Sequence, residues 1–262
     1  METIKIEVPV MADLAAKGVQ PEYLLWVGCA GAFDDRYKKV VRAFAKILTY
    51  LKVDFAVLGK EETCTGDPAR RAGNEMLFQM QAFTVIETFK MYNITKVITI
   101  CPHCYNTFKN EYPDLGASFT VINYLQFIEE QINTGKLQLT EKLKESITYH
   151  DPCYLGRANG IYETPRIILN RLTDKKVEMQ RNKSFALCCG AGGAQMFKEA
   201  EKGNTEVFLE RSKEALATGA EVIATACPFC MTMMTDGIKY ANKEESVKNL
   251  DIAELIATSL NL

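Results

Sequence analysis

The sequence predicts an α/β protein made of two tandem copies of one domain, each a small parallel sheet flanked by helices. Two observations carry this prediction. The cysteines recur with one spacing in both halves of the chain, and in each half short β-rich runs alternate with longer helical patterns. The chain has 262 residues, enough for two cores of modest size.

The repeat is read from the cysteines first. They are Cys29, Cys64, Cys101 and Cys104, then Cys153, Cys188, Cys189, Cys227 and Cys230. Cys29 to Cys64 spans 35 residues, and so does Cys153 to Cys188. Cys64 to Cys101 spans 37, against 39 for Cys188 to Cys227, and each set closes with C-P-x-C, as CPHC and CPFC. A period near 124 residues marks a duplicated domain and not a short-unit solenoid.

The elements follow in order. In the first half YLLWVG (23–28), VDFAVLG (53–59), KVITIC (96–101) and SFTVIN (118–123) read as strands. Helical patterns span Arg36 to Leu51, Pro68 to Met91 and Tyr105 to Glu111, with Asp67 as N-cap and Pro68 at the first helical position. EMLFQMQAFTVIETF is so apolar that a buried or interface helix is expected. The second half repeats ITYH (147–150), KVEM (176–179), FAL (185–187) and EVIATA (221–226), with helices at Glu163 to Leu172, Lys202 to Thr218 and Thr232 to Tyr240. The expected boundaries are an N-terminal arm at 1–22 able to lie on a partner, a first domain at 23–138 and a second at 139–262, joined within 133–146. In parallel sheets ligands gather at the carboxyl ends of the strands, where the cysteines fall.

Composition excludes several classes. The formal net charge of -2 gives no electrostatic reason to bind nucleic acid or an anionic membrane. No apolar run approaches the roughly 20 residues of a membrane span. METIKIEVPVMADLAAKGVQ mixes charges into its apolar residues and lacks the pattern of a signal peptide. A cytoplasmic protein is expected, held at a membrane only through a partner subunit. Nine cysteines in a reducing compartment favour metal binding or redox chemistry over a disulfide scaffold.

Thiolates gathered from several loops repel one another unless a cation lies between them. Sulfur ligands with no histidine or carboxylate at matching positions select zinc or an iron–sulfur cluster. Four cysteines satisfy zinc, and the second half offers five. A surplus thiolate fits a multi-iron cluster, and Gly190, Gly192 and Gly193 let backbone N–H groups approach cluster sulfur. Two rival readings stay open: a thiol–disulfide oxidoreductase using the CPHC and CPFC pairs, and a zinc-bound structural or interaction module. His150 is a candidate proton donor or tuner of the nearby site. His103 reads as a residue behind the ligands or at the surface, Arg70 and Arg71 as a solvated helix face, and Met231, Met233 and Met234 as core. No C-x2-C-x2-C-x3-C-P run and no G-x-G-x-x-G after a strand is present, so electron donor and acceptor are expected on other subunits or on diffusing carriers.

HDPCYLGR, ALCCGAGGAQMF and CPFC, preceded by WVGCAGAFDDR, EETCTGDPARRAGNE and CPHCYNTFKNEYP, resemble the cysteine-rich CCG domain. That domain occurs in heterodisulfide reductases, in their B and D components, and in iron–sulfur subunits of glycolate, lactate and glycerol-phosphate oxidoreductases. The resemblance runs from about residue 23 to the end of the chain. It implies tandem domains related by a pseudo-twofold axis with a site near their interface. It also implies a non-cubane 4Fe–4S cluster on Cys153, Cys188, Cys189, Cys227 and Cys230. Thr65 stands where the second adjacent cysteine of the first copy would be. The first set, Cys29, Cys64, Cys101 and Cys104, is therefore expected to hold a conventional 4Fe–4S cluster or zinc. The implied role is electron transfer within a heterodisulfide reductase-like oxidoreductase, alongside ferredoxin-type or flavin-containing subunits, with reduction of a disulfide at the second set as its catalytic version.

Overall fold

Strands and helices alternate along the chain, and every strand pairing within a sheet is parallel. The computed structural model describes residues 7–199 and 202–262. Two units are formed, one taking the chain up to Gln138 together with Asn261–Leu262, the other Leu139–Leu260.

In the first unit β1 (Tyr23–Trp26), β2 (Phe55–Ala56), β3 (Lys96–Thr99) and β4 (Thr120–Asn123) lie in the order β2-β1-β3-β4. Leu24, Leu25 and Trp26 of β1 pair with Val97, Ile98 and Thr99 of β3. These central strands are buried almost throughout, as expected of a parallel sheet covered on both faces. Helix Tyr37–Tyr50 buries Val40, Phe44, Ile47 and Leu48, a stripe at helical spacing. Behind the sheet Trp26 meets Phe108 edge-on at 4.9 Å and Phe89 at 5.8 Å, and Phe119 lies 4.8 Å from Phe89.

Several first-unit expectations change. The helix expected from Pro68 to Met91 is two, Asp67–Arg71 and Glu75–Met91. Gly73 turns the chain at φ 87°, and Asn74 caps the second helix by accepting from Leu77 N–H. Asp67 is not the N-cap, since Gly66 takes that place at φ 85°. The Glu75–Met91 helix packs Phe78, Ala82, Val85, Ile86 and Phe89 into the core but leaves Met76, Met80, Phe83 and Met91 exposed. The helix expected from Tyr105 starts at Pro102, directly after Cys101. Helix Tyr124–Asn133, unforeseen in the sequence, follows β4 without a loop because Asn123 accepts from Leu125 N–H. Within the expected arm, Val10 pairs with Val57 and helix Met11–Ala15 buries Met11 on this same unit; positions 1–6 of the arm lie outside the described residues.

The second unit repeats the topology. β5 (Ile147–Tyr149), β6 (Lys176–Val177), β7 (Val222–Thr225) and β8 (Lys248–Asp251) take the order β6-β5-β7-β8. Helices span Glu163–Leu172, Val207–Ala217, Pro228–Tyr240 and Ile252–Ser259. FAL (185–187) is not a strand. Lys183 N–H donates to Asp151, and the Ala186 carbonyl accepts from Arg157, so this backbone is bonded by side chains and not by a neighbouring strand. The helix expected from Lys202 starts at Val207, after a stretch of Gly203 and Asn204 that helices disfavour. The helix expected from Thr232 starts at Pro228, one residue past Cys227. The helix after β8 was also unforeseen, although D-x-x-E in DIAE signals its start: Asp251 and Glu254 form a capping box.

Phe89→Ala should lower stability by about 3–5 kcal/mol, the cost of truncating a buried aromatic. Urea unfolding checks this; an unchanged midpoint would show that the aromatic cluster is not cohesive.

Candidate metal centre

In each unit the cysteines come from three neighbouring strands. Cys29, Cys64 and Cys101 follow β1, β2 and β3, and Cys153, Cys188 and Cys227 follow β5, β6 and β7. Parallel strands bring their carboxyl ends to one side of the sheet, so residues far apart in sequence meet there. Cys101 and Cys227 each sit just before a proline at the first helical position, which places Cys104 and Cys230 one helical turn on.

In the second unit the five sulfurs are gathered closely enough to shift one another's protonation. Cys153 is coupled to Cys188, Cys188 to Cys189, Cys189 to Cys230, and Cys230 to Cys227. Cys230 and Cys189 sulfurs are 3.3 Å apart. Gly190 N–H donates to Cys188 Sγ at 3.3 Å, with Gly190 at φ 88°. A Cβ on Gly190 would lie 3.2 Å from Val207 and strain the backbone. None of the nine cysteines is in a disulfide.

The first unit shows the same plan with one link replaced. Cys29 bonds Cys64, and Cys104 bonds Cys101. Gly66 N–H donates to Cys64 Sγ at 3.4 Å with φ 85°, the counterpart of Gly190. Thr65 is buried and directs its hydroxyl at Cys104 Sγ, 4.0 Å away. It therefore occupies the place that Cys189 holds beside Cys230. The Glu62 carboxylate accepts from the N–H groups of Val27 and Gly28, tying the Cys64 loop to the turn that carries Cys29.

Electrostatics set the protonation of these sulfurs. Cys188 is held far below the ordinary thiol range by hydrogen bonds from Cys153 and Cys189, with the Gly190 N–H adding to them. Cys29 is lowered by its bond from Cys64. Cys153, Cys189 and Cys230 are pushed up by bonding to sulfur neighbours, then by burial. One thiolate at a time is tolerated in such a cluster, and full ionisation requires a cation among the sulfurs.

Charged side chains, missed as functional in the sequence, brace the second set. Arg166 forks onto Asp151 at 2.7 and 2.9 Å and onto Glu178 at 2.9 Å, and Asp151 also accepts from Lys183 N–H at 2.9 Å. This fixes the turn after β5 against the strand leading to Cys188. Arg211 is fully buried, donating from Nε to His150 Nδ1 at 3.0 Å and from Nη1 to Glu214 and the Arg181 carbonyl. His150 lies in the same cluster: one of its ring nitrogens and the sulfurs of Cys189 and Cys230 are within 4.8 Å of one another. Burial first, and then the Arg211 charge, pushes the imidazole down to about 3, so the ring is neutral.

The remaining sequence candidates are also placed. His103 is buried, its Nδ1 2.9 Å from Asp67. Arg70 and Arg71 do not form a solvated face: both are ion-paired to Glu111, and Arg71 also to Asp67. Met231 and Met234 are core, whereas Met233 packs against the cysteine cluster. It lines a cavity of about 740 Å³ with Gly190, Met196, Val207, Phe208 and Asp236. No helix among the described residues is long and apolar enough to cross a membrane.

Comparison with known proteins matches residues 23–109 and 147–235 to the cysteine-rich domain CCG. The chain is 43% identical over 255 residues to the probable iron-sulfur-binding oxidoreductase FadF of Bacillus subtilis, covering 97% of this chain and 36% of the relative. It is 42% identical over 249 residues to the EtfAB:quinone oxidoreductase of Syntrophomonas wolfei, covering 93% and 35%. It is 34% identical over 251 residues to one component of the dihydromethanophenazine:CoB–CoM heterodisulfide reductase of Methanosarcina acetivorans, covering 90% and 58%. The chain thus spans 36% and 35% of the length of the first two relatives.

Arg166→Met should destabilise the protein by about 3–5 kcal/mol, because it leaves the Asp151 carboxylate buried without its partner. Adding Asp151→Asn should recover part of this loss in denaturant titrations. Equal stability of Arg166→Met and the parent would remove the bracing role.

Proposed function

The chain belongs to the cysteine-rich CCG domain family in both of its halves, and on that premise we propose that it is an iron–sulfur protein carrying electrons within a multi-subunit oxidoreductase. The observation that carries this reading is the gathering of five cysteines at one end of the second sheet, with Cys188, Cys189, Cys227 and Cys230 packed in one cluster and the sulfurs of Cys189 and Cys230 3.3 Å apart. The donor set is all sulfur, it exceeds what tetrahedral zinc uses, and a backbone N–H already points at one member. Cys153, Cys188, Cys189, Cys227 and Cys230 would hold a non-cubane 4Fe–4S cluster. Cys29, Cys64, Cys101 and Cys104 would hold a 4Fe–4S cubane or zinc, Thr65 being too hard a donor for a soft metal. Such clusters, when bound, supply one-electron redox chemistry.

The protein's own part is to hold the sulfurs close, shield them from water and set the charge around them. Donor and acceptor are ferredoxin-type or flavin-containing subunits. The proposed setting is the cytoplasm, with any membrane attachment made through such a partner. The thiol–disulfide alternative fits poorly: Cys101 and Cys104 are buried, and Cys104 is pushed well above the ordinary thiol range by its bond to Cys101 and by burial. An attacking thiol needs exposure and a lowered pKa.

A second reading, reduction of a small disulfide to two thiols by two electrons delivered singly and two protons, is favoured by one observation. The cavity of about 740 Å³ borders Gly190 and Met233, beside the cysteine cluster.

Protein purified without oxygen should contain iron and acid-labile sulfide and absorb broadly near ~400 nm. Zinc alone would overturn the assignment. Cys189→Ser should abolish or alter the paramagnetic spectrum of the second site while leaving the first occupied. An unaltered spectrum would take Cys189 out of the ligand set.

A further inference from the structure

We propose that Trp26 and His150 are matched hydrogen-bond donors, the Trp26 Nε1–H in the first unit and the His150 Nε2–H in the second, each directed at the sulfur of the group its own cysteines hold. This rests on reading the cysteine sets as binding sites.

Three observations converge on it. The first is position: each residue stands three places before the first cysteine of its set, Trp26 before Cys29 and His150 before Cys153. Trp26 ends β1, and His150 continues β5 with its backbone N–H on the Ala224 carbonyl at 3.0 Å. The duplicated fold thus delivers both rings to the same point.

The second is the lack of any partner. Trp26 and His150 are both 0% exposed, and Trp26 Nε1 and His150 Nε2 have no hydrogen-bond partner among the described residues. Buried polar groups are nearly always bonded, so two orphans at equivalent positions point to a shared missing acceptor.

The third is proximity to sulfur. A Cβ built on Gly28 would lie 3.6 Å from Cys104 Sγ and 3.9 Å from Trp26 Nε1, so sulfur and indole nitrogen flank one α-carbon. On the other side, a His150 ring nitrogen and the sulfurs of Cys189 and Cys230 lie within 4.8 Å of one another.

Arg211 decides what His150 can do there. A guanidinium has no acceptor and keeps its protons, so Nδ1 must accept the bond from Arg211 Nε. A neutral imidazole then carries its only proton on Nε2. With Nδ1 engaged and Nε2 protonated, His150 is not a metal ligand, despite its place among the cysteines. It is a donor, which is what the indole at the equivalent position is by construction. Trp and His share no other chemistry that this position would use. An N–H bonded to cluster sulfur stabilises the more negative, reduced state and so raises the potential.

The test uses the loaded protein. His150→Leu and Trp26→Phe should keep their iron while the potential of the affected site alone moves negative. The expected size is about a tenfold change in the reduced-to-oxidised ratio at fixed potential, ~59 mV for one electron. His150→Gln, which keeps an N–H, should restore part of the shift. The unmutated protein gives an independent readout. With 15N-histidine and exchange into D2O, pulsed electron resonance should show a histidine nitrogen and an exchangeable deuteron coupled to the second site. For the first site, the indole N–H of the single tryptophan should exchange more slowly in loaded than in metal-stripped protein, whether the metal is iron or zinc. Unmoved potentials with iron retained, no coupled deuteron, or equal indole exchange would overturn the proposal. Absence of metal from the unmutated protein would instead defeat the binding reading beneath it.

Discussion

Crowding of sulfur is the constraint on which the rest of this structure depends. Five thiols gathered at the end of one sheet cannot all ionise, because each new thiolate is repelled by those already present. The polypeptide brings them together anyway, from three strand ends, and surrounds them with the few features that make such a cluster tolerable. The Gly190 amide leans on Cys188, and helix Pro228–Tyr240 begins between Cys227 and Cys230, so partial positive charge from backbone N–H groups faces the sulfurs. A cation bound there would complete what the amides begin.

Comparison of the two units separates scaffold from chemistry. Strand order, the paired positive-φ glycines at 66 and 190, and the amide-to-sulfur bonds at 3.4 and 3.3 Å are common to both. What differs is one side chain in the cluster, where Thr65 faces Cys104 as Cys189 faces Cys230. A hydroxyl in place of a sulfur keeps the shape of the loop and removes a soft ligand. The two copies therefore share a fold and diverge in what they can coordinate. The second copy also carries two buried arginines, Arg166 and Arg211, embedded around its cysteine loops. In the first copy buried Asp67 bonds His103 and Arg71, and Trp26 is wedged against Phe89 and Phe108.

Much of the local structure was legible because it follows from rules of short range. Proline after cysteine, strand-like runs before it and helical periodicity after it gave most elements and both cysteine sets. Where a short-range rule failed, a specific competitor prevailed. Gly73 and Asn74 cut the expected long helix in two, and side chains from Asp151 and Arg157 captured the backbone that would have made FAL a strand. The short helix starts at Asn123 and Asp251 rested on caps that follow strands directly, with no loop to announce them.

By itself the sequence determined the duplication, the α/β class and the cysteine sets, because periodicity and spacing are properties of the chain that no packing alters. Only the tertiary structure decided that Cys189 and Cys230 bring their sulfurs together, that the Thr65 hydroxyl faces Cys104, and that Arg211 lies behind His150. Those contacts join residues 39 to 61 positions apart, and their geometry depends on how sheets and helices pack, which no local pattern encodes.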